Sequence, residues 1–285
     1  MRSARMVSDE LRSELIFLPS AGNATRVDDC VVIRTPDNPT YWWGNTLFFD
    51  AAPEANDFER WTRLFEEHIR KPQPASLHTT FGWSGAETGV VRPALQPFLD
   101  AGFELFATVV LEAEATTPIV APHPNASARI EALAGGDWSM LRDLLVETRD
   151  ERKHSLGGYT EFVERRIAGW RVLAERGQGA WFGAWSGVDG EARLIAALGV
   201  FVEAGPGADG RRIGRFQHVV THPSARRQGL AGTLVEHASH HAFDVLAADT
   251  LLILADANDV ARRVYESTGF RGRGWQHGLE RGGYP

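Results

Sequence analysis

The stretch with the most chemistry in it is HVVTHPSARRQGLAGTLVEH, residues 218–237. A β-favouring run, RFQHVVT over residues 215–221, stops at Pro223, and Arg226, Arg227, Gln228, Gly229, Leu230, Ala231 and Gly232 then open a helix. The first N–H groups of a helix have no internal partner, and the aligned peptide dipoles leave partial positive charge there. Gly229 and Gly232 leave room for close approach, and Arg226 and Arg227 add full charges. A pyrophosphate suits such a place. Taken alone, the same residues also read as a glycine turn carrying solvated arginines. Lysine is absent, so this is not a P-loop, and the dinucleotide pattern G-x-G-x-x-G is absent too.

The elements that must hold this loop can be read on both sides of it. Leu230, Leu234, Ala238, Ala242 and Leu246 mark the buried face of a long helix, and Leu251–Leu254 is short and wholly apolar, as a doubly covered strand should be. A further helix runs from Asn258 to Ser267 and ends at Gly269. Upstream, residues 179–185 and 193–202 are expected as a strand pair around a turn at Gly187–Gly190. Two amphipathic helices precede them, one with Met140, Leu141, Leu144 and Leu145 on its buried face, the other with Val163, Ile167 and Trp170. This order predicts an α/β fold with helices layered on a mixed sheet, ending in tail strands.

A second motif lies in that later helix: ANDVARRVYESTGF supplies Asn258, Ala261, Tyr265, Gly269 and Phe270. Together the two segments resemble the GNAT superfamily of N-acetyltransferases. Arg226, Gly229 and Ala231 match its [RQ]-x-x-G-x-[GA] loop, and the later residues match N-x-x-A-x-x-x-Y-x-x-x-G-F. The resemblance implies the GNAT acyl-CoA N-acyltransferase fold and an acetyl-CoA-dependent N-acetyltransferase acting on a primary amine of a small molecule or peptide. It also implies roles for residues. Backbone groups of Val219, Val220 and Thr221 would pair with the pantetheine arm, N–H groups over Arg227–Gly232 would cradle the pyrophosphate beside Arg226, and Asn258 would touch the arm. Tyr265 would be the general acid for the departing thiolate. His218 is carried as a base, with Gln217 and Glu203 as other nearby polar groups. A non-catalytic acyl-CoA-binding or sensor protein is the alternative. Arg262 and Arg263 suit either a coenzyme phosphate or an exposed helix face.

With 285 residues the chain has room for two domains. Its formal net charge of −7 argues against a nucleic-acid surface, no run approaches the length of a membrane helix, and a single cysteine fits a cytoplasmic protein. His237, His240 and His241 lack the glutamate of H-E-x-x-H, so no metal is expected. The segment 112–128, rich in proline and small residues, reads as a linker and divides the chain into 1–113, a linker 114–126, and a catalytic domain 127–285. Residues 13–113 repeat the same order as a worn copy: strands at 30–34 and 42–50, a helix at 57–70, a strand at 76–83, a helix at 90–100 and a strand at 103–111. Phe98 there stands where the second half has Tyr265, and the loop AAPEAND is acidic, with Asn56 and Glu59 spaced as a capping box. This half is expected to bind no coenzyme.

Overall fold

The computed structural model describes residues 8–18, 23–86, 92–151, 155–187, 192–257 and 259–282. It divides into two compact units, residues 1–110 with 273–285, and residues 111–272. This departs from the expected partition at 113 and 127. The tail beyond residue 272 belongs to the first unit, and residues 114–126 lie inside the second.

The first unit opens with helix α1 (Asp9–Leu15), capped by Ser8, whose hydroxyl accepts from Leu11 N–H at 3.4 Å. Strands β1 (Ala24–Val27) and β2 (Cys30–Ile33) form a hairpin, and β2 pairs antiparallel with β3 (Thr46–Phe49). Helix α2 (Asp57–Phe65) passes into a single π-helical turn (Glu66–Arg70) and leads to β4 (Thr79–Gly85), which is parallel to β3. Helix α3 (Arg92–Asp100) then leads to β5 (Glu104–Glu114). The remaining strand, β11 (Arg271–Arg281), lies between β4 and β5, with Trp275–Arg281 antiparallel to Gly85–Thr79. The unit's strand order is β1-β2-β3-β4-β11-β5.

Aromatic rings fill the space between this sheet and α2 and α3. Phe49 stacks on Trp61 with centroids 3.7 Å apart, and Phe98, fully buried, meets Trp61, Phe81 and Phe103 edge-on at 5.6 to 5.9 Å. Several expectations for this half need correction. Residues 42–45 are a turn, closed by Asn45 N–H to the Trp42 carbonyl at 3.0 Å, so the strand begins only at Thr46. Asn56 makes no side-chain capping bond; Asp57 accepts instead from Glu54 N–H at 2.8 Å. The predicted start of α3 at Val90 lies outside the described residues.

The second unit begins at the end of β5. Strand β6 (Arg129–Ala132), helix α4 (Asp137–Glu147) and helix α5 (Leu156–Glu175) precede an antiparallel run of β7 (Gly179–Ser186), β8 (Arg193–Val202) and β9 (Ile213–Thr221). A short 3₁₀ turn (Pro223–Ala225) leads to α6 (Leu230–Asp244), β10 (Thr250–Asp256) and α7 (Val260–Thr268). The strand order is β5-β10-β9-β8-β7-β6, with β9 and β10 parallel. Neighbours on a strand point to opposite faces, and Trp181 and Phe182 show which helices cover each. Trp181 packs on Trp170 of α5 at 4.8 Å, and Phe182 packs on His237 and His241 of α6 at 4.8 and 5.1 Å.

The expected face of the first amphipathic helix holds for Leu141, Leu144 and Leu145, but Met140 is 39% exposed because it falls at the edge of that stripe. In both units the chain runs strand, helix, strand, helix, strand: β3-α2-β4-α3-β5 and β9-α6-β10-α7-β11. In each, the first two of these strands are parallel neighbours. The second unit takes in the end of β5, and the first takes in nearly all of β11.

Candidate active site

Strands β9 and β10 are registered only at Thr250↔Ile213, Leu251↔Gly214 and Leu252↔Arg215. Beyond that point Phe216–Thr221 and Ile253–Asp256 have no mutual pairing, so the parallel pair opens toward the C-terminal ends of the strands. On the other side of β9 the register to β8 shifts between Ala197↔Val220 and Gly199↔Gln217, which sets His218 and Val219 against the single residue Leu198. This is a β-bulge. Its first residue, His218, has φ of 37°, a left-handed conformation that costs a non-glycine residue strain. The bulge bends the strand and leaves the edge of Val219, Val220 and Thr221, all half-buried, without a β-partner on the β10 side.

At the end of that edge the chain turns sharply. His222 stays paired with β8 through its N–H to Ile195 O at 2.8 Å, and its ring meets Ser224 Oγ at 2.6 Å. Arg227 at φ 61° and Gly229 at φ 77° are both left-handed. Thr233 N–H donates to Gly229 O at 3.1 Å, but among the described residues no hydrogen bond is donated by the backbone N–H groups from Arg227 to Gly232. Those donors are gathered at the positive end of a fifteen-residue helix, with the exposed Arg226, Arg227 and Gln228 beside them. Arg226 is braced by a bond from its Nε to Thr221 O at 3.3 Å.

Gly229 also has a packing reason, which Gly232 does not share. A Cβ on Gly229 would come well under 3.0 Å from the carbonyl oxygen of His123, and one on Gly232 would touch Ala121 at 3.4 Å. Gly229 thus makes room for residues 121–125, the segment read as linker, which crosses the flank of α6, while the Gly232 contact is an ordinary one. Ala121 N–H donates to Glu236 at 3.0 Å, Asn125 N–H to Thr233 Oγ1 at 2.8 Å, and Asn125 Nδ2 to the Gln228 carbonyl at 2.9 Å. Composition hid this segment's role because its anchors are mostly backbone groups.

Tyr265 is 5% exposed on α7, whose N-cap Asp259 accepts from Ala261 N–H at 3.0 Å. Burial, with the Asp259 carboxylate adding to it, pushes the phenol above its ordinary range, so it stays protonated and can act only as a donor. His218 lies 5.6 Å from Trp170. Desolvation and the charge of Arg166 push its pKa down, so the ring is neutral at pH 7. The Oε1 of Gln217 accepts from the buried Arg166 at 3.1 Å. Glu203 is engaged as well. It accepts from Ile213 N–H at 2.9 Å, where β9 begins and away from the bulge. Asn258 lies outside the described residues.

Arg262 pairs with Glu266 at 2.8 Å, as on an ordinary exposed helix face. His237 and His241 pack against Phe182, and among the described residues no cluster of metal-binding groups occurs. A cavity of about 570 Å³ lies not in the slot but between α4 and the start of β8; its Glu147 and Arg193 pair at 3.1 Å and reach His222 at 3.7 and 3.3 Å. No described helix is long and apolar enough to cross a membrane.

Among its described residues, the first unit lacks these features. Strand β3 ends at Phe49, the last residue registered with β4, leaving no free edge. Arg26 is bonded to Asp50, and Arg60 bridges Asp29 at 2.7 Å and Asp57 at 2.8 Å, so these two cations are held by the unit's own acids.

Residues 138–270 match the sequence profile of the Acetyltransferase (GNAT) family. No curated protein sequence matches the chain. Among solved structures, a functionally unknown conserved protein from Staphylococcus epidermidis superposes with a TM-score of 0.68 at 11% identity, covering 90% of this chain and 92% of its own. A GCN5-related N-acetyltransferase from Kribbella flavida gives 0.58 at 16%, covering 96% and 93%. A tandem GNAT protein from the clavulanic acid biosynthesis pathway gives 0.54 at 13%, covering 80% and 70%. At such identities the likeness speaks for the fold. Residues 138–270 form an acetyltransferase domain of the GNAT family, in a chain that carries the GNAT fold.

Proposed function

We propose that the second unit is an N-acetyltransferase that takes its acetyl group from acetyl-CoA and gives it to a primary amine of a small molecule or peptide. The observation that carries this reading is the parting of β9 from β10 after Leu252↔Arg215, immediately ahead of a loop whose N–H groups are open. The slot offers a strand edge to an extended amide-bearing arm, and the loop offers donors and arginine charge to a pyrophosphate at its end. Bound there, acetyl-CoA supplies an activated thioester.

The chain's own residues divide the remaining work. Val219, Val220 and Thr221 align the arm through the backbone, and Arg226 with the N–H groups of Arg227–Gly232 holds the phosphates. Asn258 meets the arm. Tyr265 delivers a proton to the sulfur as it leaves, and His218, neutral at pH 7, takes the amine's proton on the bulge side. Its lowered basicity suits passing that proton on to solvent. The first unit binds no coenzyme and serves as scaffold or shapes the acceptor site. The single, buried Cys30 fits a cytoplasmic setting.

The deep burial of Tyr265 favours one other reading, a silent acyl-CoA binder in which the tyrosine is core. Calorimetric titration with acetyl-CoA, ATP and NAD tests the site: heat with ATP or NAD and none with acetyl-CoA would rule out both. Release of free thiol in the presence of an amine library then separates enzyme from binder.

A further inference from the structure

The peptide joining Gln228 to Gly229 is held from one side. Its carbonyl accepts from Asn125 Nδ2 at 2.9 Å, and Asn125 is itself fixed by its N–H on Thr233 Oγ1 at 2.8 Å. In a trans peptide the C=O and N–H point in opposite directions, so a carbonyl tied to Asn125 turns the Gly229 N–H away from the strap. That N–H is one of the open donors of the loop. The strap touches Gly229, Gly232, Thr233 and Glu236, which share one stripe of α6, so it lies along the helix flank.

We infer that residues 121–125 are part of the coenzyme-phosphate site, with Asn125 as a positioning residue that aims the Gly229 N–H at the pyrophosphate. This rests on the acetyl-CoA reading above. Nothing in the [RQ]-x-x-G-x-[GA] loop itself supplies this restraint: residues 226–231 include no group that holds the Gln228 carbonyl, and the restraint comes from a segment about a hundred positions earlier. Gln228's own side chain turns the other way, its Nε2 lying 3.5 Å from Ser224 O.

The test compares wild type, Asn125→Ala and Thr233→Val by calorimetric titration with CoA, dephospho-CoA and pantetheine. Loss of one neutral hydrogen bond that orients a donor predicts a Kd for CoA and dephospho-CoA raised about three- to tenfold in Asn125→Ala. Pantetheine, which has no pyrophosphate, should bind all three proteins alike. Thr233→Val keeps the side-chain shape while removing the acceptor for Asn125 N–H, and should show the same selective loss even if Asn125→Ala folds poorly. Unchanged CoA affinity in both variants, or equal losses for CoA and pantetheine, overturns the positioning role and leaves the coenzyme reading standing. A wild type that binds none of the three ligands overturns both.

Discussion

Replacing Gly229 by alanine sets two physical costs against a site where a neighbouring glycine offers a gain. At φ 77° an alanine pays about 1–2 kcal/mol for the left-handed conformation. Its Cβ also runs into the His123 carbonyl, a backbone atom that cannot swing aside as a side chain can. Relief requires the strap to lift, and lifting it costs the two bonds from Asn125, about 1 kcal/mol each. The expected loss is about 3 kcal/mol, or roughly 6–12 °C in Tm at the 2–4 °C per kcal/mol usual for a domain of this size. Gly232→Ala, three residues along the same helix, meets only Ala121 Cβ at 3.4 Å and Thr268 Cγ2 at 3.8 Å, ordinary contacts. Removing a helical glycine should stabilise by up to about 1 kcal/mol. Thermal and urea unfolding followed by tryptophan fluorescence would measure the pair. If the two variants prove equally stable, the account of the strap is wrong.

Three other outcomes are expected. Tyr265→Phe should lower kcat for thiol release at least tenfold while leaving acetyl-CoA affinity within about twofold, as measured by stopped assay and titration; undiminished turnover would remove the proton donor. His78, 2% exposed with its Nε2 on Asn45 O at 3.1 Å, has its pKa pushed down by burial to about 4 from 6.5. The unfolded chain therefore takes up the proton first as pH falls, and stability is full above about pH 6.5 and lost toward pH 4; between pH 7.5 and 5 the loss is about 2 kcal/mol, and urea unfolding of His78→Asn should lack that part of the slope. Phe98→Ala should cost about 3–5 kcal/mol by emptying the centre of the first unit's aromatic cluster, yet leave coenzyme binding by the folded protein intact in titration.

What the sequence disclosed and what it withheld divide along physical lines. Strand β9, helix α6, strand β10 and helix α7 were legible because hydrophobic period, Pro223 and Gly269 are local signals, and the loop between them because glycine and arginine at a helix start have few uses. Strands β1 and β6, each four residues long and mostly exposed, carry no such signal, and neither does α1. Asn125 was invisible because its partners, a main-chain carbonyl and a threonine hydroxyl, lie about a hundred residues away. The capping box at Asn56 failed: Asn56 makes no side-chain cap bond, and the neighbouring Asp57 turns back to Glu54 N–H instead. Glu203 and Gln217 were the nearby polar groups by type and position along the chain, but hydrogen bonds tie Glu203 to Ile213 N–H and Gln217 to Arg166, partners the sequence does not show.

The placement of β11 imposes an order of events on synthesis. Its residues Trp275–Arg281 must find Gly85–Thr79, across a separation of nearly two hundred positions, while residues 111–272 form a unit of their own in between. At roughly 5–20 residues per second a ribosome needs on the order of 10–30 s to make that intervening stretch. Through that interval β4 stands as an open edge, the kind that recruits strands from other chains. Half of this protein must therefore wait, exposed, for the strand that closes it, and holding that edge in check while translation proceeds is a demand on the cell that no single-unit relative would make.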